Sequence, residues 1–184
     1  MGRLRSTGGF WLLLGALLLA APLSLVGWTF LACAVHEVGH LLAIRALGGR
    51  VEELRLTGLG AVMVSGRVLS YREECLVALA GPVASFLLTL GLAPFCPTLA
   101  GVSLVLGLFN FLPLSPLDGG RILGVAVSQM AGPDRGEGVC RLVSRFLAFA
   151  LAALGLWVLT QGGSFTLLLF GTSFFVSGDR TGSL

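Results

Sequence analysis

Apolar residues arrive in long unbroken blocks. They run from Phe10 to about Val26, Trp28 to Leu47, Cys75 to about Ala93, Thr98 to Phe109, Leu142 to Leu159 and Ser164 to Val176. Blocks approaching 20 residues match the ~30 Å hydrocarbon core of a bilayer when coiled as helices. Gly27-Trp28, Pro94 to Pro97 and Gln161-Gly162-Gly163 read as turns between them. The second block should stop at Gly48-Gly49, a helix terminator, and Gly81-Pro82 should break the third near its start. After Phe109, the stretch Asn110 to Gly120 carries two prolines and two glycines. It predicts irregular backbone, with helix resuming over Ile122 to Met130. Irregular backbone at membrane depth survives only where protein or a water-filled cavity satisfies it.

Residues 50–74 break this pattern. They mix Arg50, Arg55, Arg67 and Arg72 with Glu52, Glu53, Glu73 and Glu74. Leu54 and Leu56 alternate with polar neighbours, and Val62, Val64 and Val68 add β-branched character. Gly58-Leu59-Gly60 can turn the chain between the two halves, which predicts a β-hairpin. Residues 131–141 read as a polar connection, and Ser177 to Leu184 as a polar tail.

Composition agrees with a chain that lives in lipid. Of 184 residues, 55% are hydrophobic and 11% charged, against about 25% charged in a soluble domain; the mean hydropathy is +0.95. The fold class expected is an all-α polytopic membrane protein of about six transmembrane helices, with the small hairpin between the second and third. The basic start Met1 to Arg5 resembles a signal peptide. Because a second apolar block follows almost at once, the first is read as a retained span. Charge supports the count. All 12 basic residues are arginine, and nearly all lie in or flush with residues 1–9, 48–74, 118–141 and 177–184. The opposite turns carry none. The positive-inside rule then places both termini in the cytoplasm, and the pattern suits a multi-pass protein of a bacterial plasma membrane. No basic run suggests nucleic acid as a partner. Cys33, Cys75, Cys96 and Cys140 show no paired spacing and read as small buried residues.

The chemistry lies in the second block, at His36-Glu37-Val38-Gly39-His40. It holds both histidines of the chain. Four residues of helix bring a side chain back to the same face, so His36 and His40 can ligate one zinc ion. Glu37 stands beside it as a general base toward water. An ionisable glutamate in a membrane helix is costly and usually marks function. Catalytic zinc commonly takes three protein ligands. Asp118, in the Pro-Leu-Asp-Gly-Gly turn on the same membrane side, is the expected third, although taken alone it could equally cap the helix that follows.

These residues resemble the site-2 protease family of intramembrane zinc metalloproteases (peptidase family M50). The resemblance rests on His36 to His40, on Leu79-Ala80-Gly81-Pro82, and on Asn110-x-x-Pro113-x-x-Pro116-Leu117-Asp118-Gly119-Gly120. It covers about residues 28–130, and the compact layout is similar to the spore-formation (SpoIVFB-like) branch. The implied function is a zinc metalloendopeptidase that hydrolyses a peptide bond in or beside a transmembrane segment of a membrane-associated protein. The resemblance implies one Zn2+ per chain on His36, His40 and Asp118, with Glu37 as base and Asn110 helping to position substrate. Membrane regulatory proteins and the bilayer are the other expected partners. Asn110 has a second reading, as an amide repairing backbone freed by Pro113. Residues 1–184 are read as one intramembrane protease domain without PDZ or CBS modules. Many relatives place asparagine four residues after the third-helix glycine; Ser85 stands there, where it can keep a polar contact or serve as a small packing position, and packing is the favoured reading. The alternative function is a non-catalytic membrane metal protein, either a zinc transporter or an inactive scaffold. A transporter would need polar residues leading to both faces, and a scaffold would usually have lost Glu37.

Overall fold

A computed structural model describes residues 3–57 and 60–162. In chain order the elements are β1 (Arg3–Ser6), α1 (Gly8–Ala20), α2 (Leu23–Ala46), β2 (Val51–Thr57), β3 (Gly60–Ser65), α3 (Tyr71–Leu92), α4 (Pro97–Asn110), α5 (Asp118–Ala131) and α6 (Pro133–Thr160). They divide into two compact units, one ending at Asn110 and the other beginning at Phe111.

Among the described residues, α2, α3 and α6 are long and apolar enough to cross a membrane, while α1 and α4 are shorter apolar helices. At 1.5 Å per residue, 24 residues of α2 extend about 36 Å, enough for the hydrocarbon core with some tilt. Their outward faces carry Leu42, Leu76, Leu87, Leu90, Phe146 and Phe149, all exposed. A soluble monomer rarely exposes so many large apolar side chains along its helices, whereas lipid is their natural solvent. The last apolar block of the sequence, Ser164 to Val176, and the polar tail lie outside the described residues.

In the first unit, α2 begins earlier than the sequence suggested. The break falls at Ala21-Pro22 rather than at Gly27-Trp28, which sit inside the helix. Pro22 has no N–H to donate and its φ of −57° suits the residue just before a helix. Gly27 continues the helix with open space where a side chain would be. The expected stop is borne out at Gly48, whose φ of +77° costs little without a Cβ.

Helix α3 starts at Tyr71, four residues before the apolar block. Ser70 and Glu73 form a reciprocal capping box, in which the Glu73 carboxylate accepts from Ser70 N–H at 2.8 Å and the Ser70 hydroxyl accepts from Glu73 N–H. Arg67 joins this knot. It pairs with Glu73 and donates to the Leu47 carbonyl at 3.0 Å, tying the end of α2 to the start of α3. The break expected at Gly81-Pro82 does not occur: α3 runs straight through. Pro82 forfeits one helical bond, and its complete burial among neighbouring helices holds the chain in register nonetheless.

The predicted hairpin is present as β2 and β3, paired antiparallel with Leu54 opposite Met63 and Arg55 opposite Val62. Its turn residues 58 and 59 are outside the described set. A third strand was not foreseen. β1 pairs parallel with β2, with Leu4 opposite Leu54 and Arg5 opposite Arg55, so the sheet order is β1-β2-β3. Glu53 sits between Arg5 (3.4 Å) and Arg55 (2.9 Å). The Arg55 hydrogen bond, then the nearby arginine charges, hold its carboxyl below the usual carboxylate range. Arg5 is exposed and Glu53 and Arg55 are only half-buried, so these pairs add little stability.

In the second unit, irregular backbone is confined to residues 111–117, a shorter stretch than the expected 110–120, and α5 starts at Asp118 rather than near Ile122. The connection expected over 131–141 is mostly helix. Only Gly132, with φ +94°, interrupts the chain, and Pro133 opens α6 at a position that tolerates its missing N–H. α6 lies close on α5 at Gly136, where a Cβ would press on Ser128 and the Gly124 carbonyl. The Ser144 hydroxyl accepts from Ser115 N–H at 2.8 Å, pinning the irregular segment to α6.

Candidate metal centre

Helical spacing brings His36 and His40 to the same face of α2, and both are buried. Their Nε2 atoms stand 3.2 Å apart, with ring centroids 4.9 Å apart and ring planes at 80°. Two imidazole nitrogens bound to one tetrahedral zinc at ~2.05 Å would lie about 3.3 Å apart. The observed pair already has that separation.

The other ring nitrogens decide what these Nε2 atoms can do. His40 Nδ1 lies 2.7 Å from the Val77 carbonyl oxygen. A carbonyl only accepts, so the hydrogen of the neutral ring is on Nδ1 and Nε2 presents a lone pair. His36 Nδ1 lies 2.9 Å from the Ser85 hydroxyl. Both partners belong to α3, one on each side of Gly81.

Gly81 is what lets α3 come so close. A Cβ there would overlap His40 Nε2 and lie within 2.7 Å of His36 Nε2. One turn along α2, a Cβ at Gly39 would meet the Ala80 carbonyl oxygen at 2.5 Å and Ala84 Cβ at 2.8 Å. The two helices therefore touch backbone to backbone through a glycine from each, and the imidazoles fill the space a side chain at 81 would take. Two imidazole nitrogens converging over a cradle without a Cβ suit a metal ion.

Glu37, on the next position of α2, is half-buried. Asp118 belongs to the second unit. It is the first residue of α5, buried at 7% relative exposure, and Leu117 rather than Asp118 holds the N-cap position. The capping role considered from sequence is thus not the one its place in the helix gives it. The two glycines after it are needed for close approach. A Cβ at Gly119 would strike the Phe111 and Leu112 carbonyls, and one at Gly120 the Leu114 backbone. Residues 111–115 fold over the first turn of α5, with Leu114 fully buried, and this fixes where Asp118 stands.

Asn110 ends α4. Its Nδ2 donates to the Leu106 carbonyl at 3.0 Å, one turn back along the same helix. Ser85, read from sequence as a packing residue, packs and also makes a polar contact. It is fully buried, and a Cβ on Gly107 of α4 would meet its Cβ at 3.0 Å. The clue was its spacing: four residues after Gly81, it shares the α3 face that meets α2.

The profile of peptidase family M50 matches residues 88–153. The zinc metalloprotease Rip3 of Mycobacterium tuberculosis is 33% identical over 147 residues, which are 70% of this chain and 37% of Rip3. The chain belongs to peptidase family M50. Two further relatives are similar to the chain. A zinc metalloprotease of Methanocaldococcus jannaschii is 28% identical over 140 residues, 69% of this chain and 41% of that protein. One from Synechocystis is 31% identical over 162 residues, 77% of this chain and 42% of that protein. The chain thus spans about two fifths of the length of these curated relatives. The M50 fold is shared with the solved site-2 protease from Methanocaldococcus jannaschii, at a TM-score of 0.79 and 22% identity, over 97% of this chain and 90% of that one. The relatives' metal is zinc by name, and the paired imidazoles of α2 are ligands of the type zinc takes.

Proposed function

We propose that this chain is a site-2-type intramembrane zinc metalloendopeptidase that cleaves a membrane-associated protein in or next to a transmembrane segment. The observation that carries the reading is the pair of Nε2 atoms 3.2 Å apart, buried midway along a membrane-length helix and followed by no other histidine in the chain. Zinc would be held by His36 and His40, with Asp118 as the third ligand. When bound, the ion supplies Lewis acidity, lowering the pKa of water and polarising a peptide carbonyl. Glu37 takes the proton from the attacking water and delivers it to the departing amine nitrogen. The negative charge of Asp118 offsets part of the ion's charge, and the ion in turn offsets the cost of burying that carboxylate. Asn110 contacts the substrate through its carboxamide oxygen and its second Nδ2 hydrogen, the first being donated to Leu106.

The wider reading has six spans, both termini in the cytoplasm and a bacterial plasma membrane as host, in one domain of the compact spore-formation branch. Arginine asymmetry supports the orientation. Regulatory membrane proteins would control access. A zinc transporter is disfavoured because it would need acidic or histidine residues along a path to both faces, and an inactive scaffold because it would usually have lost Glu37.

A protease must hold its substrate extended. β3 is an edge strand of the sheet, so an unwound substrate can add to it as a further strand. Val64→Pro removes a backbone donor and stiffens this edge. We expect cleavage of a membrane substrate to fall at least about tenfold with zinc content unchanged, and equal cleavage by this variant would remove the strand-addition step.

The ligand set is tested by Asp118→Asn. A carboxamide oxygen is a weaker, neutral ligand, so zinc affinity should fall by about tenfold or more, read by chelator competition on purified protein. Proteolysis of a membrane-anchored reporter should fall in parallel. Wild-type zinc affinity in this variant would exclude Asp118 from the centre, and a zinc-loaded wild type that never cuts any membrane segment offered would count against the protease.

A further inference from the structure

The two histidines are not held equally. His40 has its hydrogen placed by a carbonyl, which leaves its ring one neutral form. His36 faces a hydroxyl, which can either donate or accept. Its Nε2 presents a lone pair to a metal only when Nδ1 carries the hydrogen and Ser85 accepts it. The 3.2 Å between the two Nε2 atoms would otherwise suit a hydrogen bond from His36 to His40, which would use up both.

Ser85 is built into the structure more firmly than packing alone requires. It is fully buried. Its main-chain oxygen accepts from two hydroxyls, Ser103 of α4 and Thr89 of α3, each at 2.9 Å. Gly107 of α4 lies directly behind its Cβ. These contacts engage the main chain and Cβ of Ser85, with two donors sharing one oxygen, while its hydroxyl faces the His36 ring.

We propose that Ser85 is a positioning residue of the metal centre: its hydroxyl accepts the Nδ1 hydrogen of His36 and holds that ring with Nε2 turned to the ion. The inference rests on the reading of His36 and His40 as zinc ligands. It assigns to a serine of α3 the task that a carbonyl of the same helix performs for His40. Partners of this kind orient ligating imidazoles and raise their basicity, and their loss typically weakens metal binding 10–100-fold.

The experiment compares Ser85→Ala with Ser103→Ala in the full chain, purified in detergent. Both remove one buried hydroxyl from the same network, but only the first touches His36. Zinc affinity is read by competition with a chromogenic chelator, and the ligand field by the visible spectrum of the cobalt-substituted protein. Thermal unfolding is recorded for both. Ser85→Ala should weaken zinc binding by about 10–100-fold and alter the cobalt spectrum, while Ser103→Ala should leave both as in the wild type. Wild-type affinity in Ser85→Ala overturns the proposal. Equal losses in the two variants, tracking their unfolding temperatures, also overturn it, because the serine then acts only through packing. A wild-type protein that takes up no zinc overturns the ligand reading of the histidines itself, an outcome distinct from a loss confined to Ser85→Ala.

Discussion

Glu37→Gln is expected to bind zinc as the wild type does and to cleave its membrane substrate about 10²–10⁴-fold more slowly, the contribution typical of a positioned proton-transfer group. Glutamine keeps the size and shape of the side chain and cannot take up a proton. His36 and His40 keep their Nδ1 partners on α3, which Glu37 does not supply. Stability should move the other way from activity. An ionised carboxylate in a membrane-length helix is costly, so the variant should unfold at the same temperature or higher, the usual direction when a strained catalytic group is neutralised. The measurement is zinc content, reporter cleavage and unfolding temperature on one preparation. Cleavage at the wild-type rate would sink the assignment of Glu37 as base, and loss of zinc would recast it as part of the metal's support.

Some of this centre could be read from residue order because its logic is local. His36 and His40 are one turn apart, and any straight helix through them brings them to one face. Asp118 stood out because a two-histidine zinc site wants a third ligand and this carboxylate sits in a turn with prolines before it and glycines after it. The structure explains why the glycines are there: residues 111–115 lie against their bare backbone. The hairpin was legible from alternation in a chain otherwise made of apolar blocks. What escaped was non-local. β1 is four residues long, too short for a periodicity, and its partner Leu54 lies fifty residues on. The start of α2 was misplaced because glycine and proline compete as punctuation, and in a membrane helix proline is the stronger of the two. Pro82 shows the limit of that rule, since burial between helices keeps α3 whole around it. Ser85 was legible only in part: it packs, as favoured, and it also keeps the polar contact that was the lesser reading. A small residue at a helix interface and a hydroxyl aimed at a neighbouring imidazole have the same spacing, and only the 2.9 Å contact to His36 distinguishes them.

Gly81→Ala tests the geometry of the centre with the least possible change. On helix propensity alone, alanine should stabilise α3 by about 0.5–1 kcal/mol. Gly91 of the same helix, where an added methyl would meet nothing within 4 Å, is where that gain should appear. At Gly81 the methyl would instead fall on the His40 ring and against His36 Nε2. Relief requires either α3 to withdraw from α2, which Gly39 against Ala80 makes hard, or both imidazoles to turn off their partners Val77 and Ser85. Overpacking of this kind costs about 1–3 kcal/mol, more than propensity returns. Because both ligands are displaced together, zinc affinity should fall by about 100-fold or more, beyond the loss of one supporting contact. Gly91→Ala should keep zinc and unfold slightly higher, while Gly81→Ala should lose zinc with helix content unchanged by circular dichroism. Tight zinc binding in Gly81→Ala would mean that the helices part easily there, and that the close contact of α2 and α3 does not set the spacing of the two histidines.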